Sequence, residues 1–462
     1  MQLCRLTVFD KIKVRNCIVW FVGIVNALAG LLVCIDSDYF AQAKTILLFL
    51  SLVSLILYVN YFADFFIYQL RLIFLATIGY YAGLTKSIDP DMAFMDFGIS
   101  VHTFSVGVQM YGMTSIALLG AAIGFAMIRT TNRPKNLPIL LTPMPWLSIF
   151  WVSGFLSLIV GYLSAKSYGP TIWEGGYASS GEGQLLGNLQ SIGVVVITMN
   201  VLAAVALKKY SFYILSFIAC VYFLGFGILF RGGRLEFLAG LLALFVGIPA
   251  ATGKRPKVPH YFYAILVGFA VFMEFWGYLR AAWTSKESET MLEGYVRMFE
   301  SGILFVGTIS GIASSFANVV HMIDTKVIDF QLGIPYSEYF LRTPPEFLYP
   351  DRPKDLSAIF DSYGYISIGG FFELAEAYLS FGLLGVFFVP MLISYVMAYV
   401  YKRAIAGSLF FYLQLLAMLS VFMRGAWYQS FAYYKAIYTG MIIFLVVVLM
   451  KKFVRNLRQS IQ

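Results

Sequence analysis

The sequence predicts an all-α polytopic membrane protein with about 12 transmembrane helices. Three observations carry the prediction. Of 462 residues, 60% are hydrophobic and 12% charged, which leaves too little polar surface for a soluble protein of this size. Apolar runs of the ~20 residues that cross a ~30 Å hydrocarbon layer recur along the chain. Basic residues gather on alternate connections, as the orientation rule for membrane helices requires.

The spans follow in order. A leader with Arg5, Lys11, Lys13 and Arg15 precedes residues 17–35. That apolar run is too long for a signal peptide, so an uncleaved first span is expected although Ala41-Gln42-Ala43 resembles a cleavage site. Residues 45–60, 65–84 and 106–128 come next, the last closing on Arg129, Arg133 and Lys135. Residues 146–166 and 187–207 end at Lys208 and Lys209, and residues 211–230 and 235–252 end at Lys254, Arg255 and Lys257. Residues 261–283 and 374–400 close on Lys402 and Arg403, while residues 408–423 and 436–450 lead to Lys451, Lys452, Arg455 and Arg458. With the amino terminus cytoplasmic, every basic connection falls on the same side and both termini are cytoplasmic. The net charge of +9 resides mostly in these anchors and forms no patch interleaved with aromatics, so no nucleic-acid partner is expected. Cys17, Cys34 and Cys220 lie in apolar spans and Cys4 in the leader, which argues against a disulfide framework and a cysteine metal site.

Three divisions result. Residues 1–283 are read as a bundle of about nine spans, 284–373 as a large outer loop module, and 374–462 as the last three spans with a cytoplasmic tail. The outer module holds twelve acidic and six basic residues and is punctuated by Pro344, Pro345, Pro350 and Pro353, marks of ordered but irregular structure. Within it, Ile303 to Val320 is apolar but rich in Gly and Ser. A crossing there would put the basic tail on the wrong side, so an amphipathic helix on the outer surface or packed in a cavity is expected. A second outer loop, residues 167–186, combines glycines with Tyr168, Trp173 and Tyr177, a composition that suits carbohydrate or serves as an interfacial connector.

Four arginines oppose the charge rule. Arg231, Arg234, Arg280 and Arg424 fall at the outer ends of apolar runs, where positive charge is not needed for orientation. Arg231-Gly-Gly-Arg234 fills a connection so short that both guanidinium groups must lie at the membrane surface, and such planar forks match phosphate oxygens. The competing reading is snorkelling to lipid phosphates. Glu373 and Glu376 stand one helical turn apart at the entry to the tenth span, placed to deprotonate a hydroxyl at the outer mouth of the bundle or to pair with Arg231 or Arg234. His321 is a candidate base or a structural histidine, and Tyr363 lies in the stretch Asp361-Ser-Tyr363-Gly-Tyr365 of the same loop. The pairs Asp36/Asp38 and Asp89/Asp91 are too short a pattern to imply a metal, and no Walker, Rossmann, nucleophile-elbow or HExxH motif occurs.

Two stretches, FRGGRLEFLAG at 230–240 and GGFFELAEAYLSFGLLGVF at 369–387, resemble the Wzy-type polysaccharide repeat-unit polymerases, also called O-antigen polymerases. Many spans with one large outer loop before the last few complete the resemblance. It implies a GT-C-like, multi-pass glycosyltransferase of the bacterial inner membrane, active at the periplasmic face. Such an enzyme transfers the growing glycan from undecaprenyl diphosphate to the non-reducing end of a new lipid-linked repeat unit, without metal or other cofactor. The family's outer-face arginines carry over onto Arg231 and Arg234, and by position onto Arg280 and Arg424. No family motif fixes the base, which leaves Glu373, Glu376 and His321 as catalytic candidates and Trp173, Tyr177 and Tyr363 as sugar contacts. The implied partners are the lipid-linked oligosaccharide, the bilayer and a chain-length regulator protein. An O-antigen ligase and a lipid-linked oligosaccharide flippase are the alternatives. The flippase is disfavoured because strong charge is expected at the outer rim rather than at the midplane, with Glu274 as the chief exception.

Overall fold

The computed structural model describes residues 8–90, 103–128, 138–141, 144–167, 183–229, 233–256, 307–343, 349–351, 371–427 and 430–461, with isolated positions between them. Among these the chain is helical, without strands, and nine helices are long and apolar enough to cross a membrane. The helices are α1 (Val8–Ile35), α2 (Asp38–Tyr61), α3 (Phe66–Ile88), α4 (Phe104–Ile128), α5 (Trp146–Ser167), α6 (Gly183–Leu207) and α7 (Tyr210–Cys220). There follow α8 (Arg234–Ala251), α9 (Gly307–Asp324), α10 (Ile334–Arg342), α11 (Glu373–Ile405), α12 (Leu409–Ser420), α13 (Phe422–Trp427) and α14 (Phe431–Ile461). The span expected at 261–283 lies almost wholly outside the described residues.

The chain divides into two compact units. Unit 1 comprises Met1–Arg129, Val306–Ala398 and Ala426–Ser430; unit 2 comprises Thr130–Phe305, Tyr399–Gly425 and Phe431–Gln462.

Unit 1 is tied together by hydrogen bonds that lipid could not supply. Asn26 of α1 donates to Tyr80 of α3 at 3.2 Å, and Ser51 of α2 donates to Asn26 Oδ1 at 2.9 Å. Tyr111 of α4 lies 2.5 Å from the Ser51 hydroxyl and donates to the Leu47 carbonyl at 2.7 Å. Tyr111→Phe leaves buried partners unsatisfied and is expected to cost about 1–3 kcal/mol, read as a lower unfolding midpoint of the purified protein. An unchanged midpoint would show that the network is replaceable.

The register of α3, α4 and α11 decides where charge is placed. A methyl on Gly79 would strike Thr114, one on Gly83 would strike Tyr111, and Gly107 lies against the Lys86 stem, so α3 and α4 run antiparallel in close contact. Carried along α3, this register sets Arg71 level with Gly120–Gly124. Those two glycines in turn admit the carbonyls of Phe387 and Met391, so α4 and the later part of α11 run parallel.

Helix α11 is not one straight helix. Phe381 and Gly382 leave helical geometry, Gly382 at φ +61°, and the Gly385 α-carbon packs directly against the Ala377 carbonyl. Eight residues of straight helix would separate those groups by about 12 Å. Residues 373–380 therefore form a limb that folds back along residues 383–405. Reversal places Glu373 beside the stretch between Phe387 and Met391, the level of Arg71. The second limb still reaches about 34 Å at ~1.5 Å per residue, enough to cross the hydrocarbon layer. Its Leu384, Phe388 and Leu392 form an exposed stripe at helical spacing, as a lipid-facing surface should.

Helix α9 answers the question of Ile303 to Val320. Its residues 310–320 are buried all round, so it is packed within unit 1 instead of lying on the surface. Ser310 sits by Tyr81 of α3, whereas Asp324 accepts a hydrogen bond from Gln109 of α4. Tyr81 and Gln109 lie about one helical turn apart in the α3–α4 register, far less than the ~21 Å that separates Ser310 from Asp324 along α9. Helix α9 thus runs across those helices, and its small residues permit the close packing.

In unit 2, Asn200 of α6 donates to the Phe150 carbonyl of α5 at 2.8 Å and accepts from Ser216 of α7 at 2.6 Å. Gly247 lets α8 approach Leu416 of α12 and Thr198 of α6. The run 211–230, expected as one span, is α7 followed by a π-helical segment, Val221–Phe226. The run 408–423 breaks at Val421, φ −120°, between α12 and α13.

Candidate functional site

Of the sequence's four arginine candidates, Arg234 and Arg424 fall among the described residues, both in unit 2. Gly233 caps α8, and its N–H donates to the Ile228 carbonyl at 3.0 Å. Arg234 opens the helix and Glu236 follows within its first turn. Arg424 of α13, remote in sequence, donates through Nη1 to Glu236 Oε1 at 3.4 Å. The Arg424 side chain is 49% exposed and that of Glu236 18%. So long and open an ion pair contributes little stability, and its guanidinium can turn to another anion at small cost. Arg231, Arg280, Trp173 and Tyr177 lie outside the described residues.

Glu373 and Glu376 are elsewhere than expected. Both are fully buried in unit 1, at the foot of the re-entrant limb and far along α3 from its Ile88 end, the end that the charge pattern assigns to the outside. The cause is the reversal at Phe381–Gly382, which carries the start of α11 into the bundle instead of leaving it at the mouth. Glu373 pairs with Arg71 of α3 through Oε1, not with Arg234, while its Oε2 has no hydrogen-bond partner among the described residues. Glu376 accepts the Tyr339 hydroxyl of α10 at 2.7 Å on Oε1 and the Ser430 N–H at 3.1 Å on Oε2. Trp427 donates to the Phe74 carbonyl at 3.1 Å one turn from Arg71, so residues 426–430 are held to α3 as well. Glu376 is thus a junction of three chain segments. Strong charge is expected from the sequence at the outer rim with Glu274 as the chief exception; Arg71, Glu373 and Glu376 are further exceptions, buried in unit 1 away from the Ile88 end of α3.

His321 comes near Tyr365, two residues beyond Tyr363. The His321 ring lies 6.4 Å from that of Tyr365, and Tyr363, half exposed, occupies the same turn, closed by its N–H on the Phe360 carbonyl at 2.9 Å. One turn along α9, Asp324 accepts from Gln109 Nε2 at 3.0 Å. Burial raises the Asp324 carboxyl above its usual range, against hydrogen bonds from Gln109 and Tyr378 and the charge that His321 can carry. The folded form therefore binds the proton more tightly than the unfolded chain. The stability from this group is present below its unfolded pKa and lost as pH rises through the folded one. Asp324→Asn is expected to flatten that part of the stability–pH curve, and curves of equal slope would contradict the assignment.

Sequence reasoning missed Arg71, Tyr339 and Ser430. Arg71 carried a readable signal, an arginine inside an apolar run. Tyr339 and Ser430 had none, because only the fold-back brings them to Glu376. Asp36, half of one acidic pair, accepts the Asp38 N–H at 3.0 Å and shapes the start of α2. Among the described residues, no group of three or more His, Cys, Asp or Glu side chains could hold a metal ion.

No family model, curated protein or solved structure matches the chain.

Proposed function

We propose that the protein is a membrane-embedded glycosyltransferase that polymerises lipid-linked polysaccharide repeat units. In this reading it is a GT-C-like enzyme of about 12 spans in the bacterial inner membrane, with cytoplasmic termini. The growing glycan leaves undecaprenyl diphosphate for the non-reducing end of a new unit at the periplasmic face. The observation that carries the reading is Arg424, whose half-exposed guanidinium lies against Glu236 in the first turn of α8, the helix that Arg234 opens. Cleavage at the anomeric carbon builds negative charge on the departing diphosphate, which prearranged guanidinium groups stabilise most in the transition state. His321 suits a hydroxyl-bearing acceptor better than the buried Glu373 and Glu376, whose described partners are protein groups.

The test is expression in a bacterium that supplies single lipid-linked repeats but lacks its own polymerase. A ladder of repeats free of lipid A supports the reading. A single repeat on lipid A points to the ligase, and unextended repeats refute the proposal.

A second reading, a lipid-linked oligosaccharide transporter, is favoured by one observation. Buried charge on a broken helix, here Arg71 with Glu373 on α11, is the pattern in which transporters build midplane sites.

A further inference from the structure

Helix α10 wears its apolar side outward. Pro335, Tyr339 and Arg342 form its buried side, with the Tyr339 hydroxyl turned inward to Glu376. Ile334, Ser337, Phe340 and Leu341 form the exposed side, and Leu332 just before the helix is 81% exposed. Glu338, the only charged residue between Phe330 and Arg342, is half-buried and borders the inward side. A helix lying on a water-covered protein surface shows the reverse, apolar in and charged out.

The polar groups of the segment are satisfied within the chain, as lipid demands. The Ser337 hydroxyl, on the exposed side, donates to the Ile334 carbonyl at 2.8 Å. At the start of the helix the Ile334 N–H donates to the Gln331 carbonyl at 2.9 Å, and the Tyr336 and Ser337 N–H groups donate to the Gly333 carbonyl at 3.1 and 3.2 Å. Pro335, between them, has no N–H to satisfy.

The segment is fixed to the re-entrant limb of α11. Leu332 and Gly333, both left-handed at φ +44° and +82°, turn the chain into the helix. The Gln331 N–H donates to the Leu379 carbonyl at 2.9 Å, the Phe330 ring lies edge-on to Tyr378 at 5.6 Å, and the Tyr336 ring lies parallel to Phe381 at 6.2 Å. With Tyr339 at Glu376, α10 therefore runs antiparallel to the limb, inward from the tip at Phe381–Gly382. From Leu383 to the basic pair Lys402 and Arg403 the second limb rises about 30 Å, the thickness of the hydrocarbon layer. With that pair at one boundary of the membrane, the tip reaches the other, and whatever turns back from the tip lies inside the layer. Phe381, exposed at the tip and packed against Gly333, joins the outward side of α10 to the stripe of Leu384, Phe388 and Leu392.

We propose that residues 330–342 are the second arm of a membrane-embedded hairpin, seated in one leaflet with Leu332, Ile334, Phe340 and Leu341 against lipid acyl chains. A stretch that the sequence places in an aqueous outer module is then a lipid-facing element, and it shields the Glu376 junction from the bilayer. The inference does not depend on the glycosyltransferase reading.

The experiment uses the wild-type protein in phosphatidylcholine vesicles that contain a lipid with a diazirine midway along its acyl chain. Light expels dinitrogen, and the carbene inserts into the C–H bonds it touches. Trypsin cuts after Lys326 and Arg342 and so releases residues 327–342 as one peptide. That peptide is expected to carry the adduct at a yield within about threefold of the peptide that holds Leu384 and Phe388, because both meet the same acyl chains. Within it, the adducts should fall on Leu332, Ile334, Phe340 and Leu341. Adducts on the Leu384 peptide with none on residues 330–342 overturn the inference. A charged diazirine confined to water then tells what covers the face: strong labelling means water, and no labelling means a second copy of the chain or another protein.

Discussion

Replacing Arg71 with alanine is expected to destabilise unit 1 by about 3–5 kcal/mol, the cost of leaving Glu373 as a buried charge without its partner. Arg71 and Glu373 both have 0% exposed side chains, so water cannot take the place of the lost guanidinium. The effect should be strongly non-additive. Arg71→Met combined with Glu373→Leu removes both charges and should recover most of the loss, because an apolar pair of similar size needs no compensation. A double-mutant cycle by reversible unfolding in detergent checks this. Equal stability of wild type and Arg71→Ala would mean that the foot of the re-entrant limb is held by something else.

The second large effect is kinetic. Arg424→Ala and Arg234→Ala should each lower transfer by about 10²–10³-fold, the loss typical of one prearranged donor aimed at developing charge. Arg424 is half exposed and its ion pair with Glu236 is long, so folding should be almost unaffected. Lysine should rescue only in part, since a point charge does not reproduce the planar fork. Transfer rates at saturating substrate, with the unfolding midpoint as control, give the answer. Loss of transfer in proportion to lost folded protein would refute the diphosphate role.

The helices themselves were legible in the sequence because a bilayer imposes length and hydropathy on each span separately. Runs such as 65–84, 106–128 and 235–252 differ from α3, α4 and α8 by only a few residues at either end. The failures share one physical origin. Hydropathy cannot see a reversal, and GGFFELAEAYLSFGLLGV reads as the start of a span whether the chain continues or folds back at Phe381–Gly382. That single turn moves Glu373 and Glu376 from the mouth of the bundle to its interior and gives Arg71 its partner. Of the four arginines that stood out in the charge pattern, Arg234 and Arg424 are described, and the contact of Arg424 with Glu236, 188 residues away in the chain, had no sequence signal. Charge parity gave the expectation that Ile303 to Val320 does not cross, but the all-round burial of residues 310–320 depends on α3 and α4, which parity does not see.

The most direct measurement is a linkage assay on the purified protein in proteoliposomes loaded with undecaprenyl-diphosphate-linked repeat units of one length. The account predicts products one or more repeats longer, each joined by a new glycosidic bond, with free undecaprenyl diphosphate released in matching amount. Movement of the unaltered lipid-linked unit across the bilayer, with no new linkage formed, would contradict it.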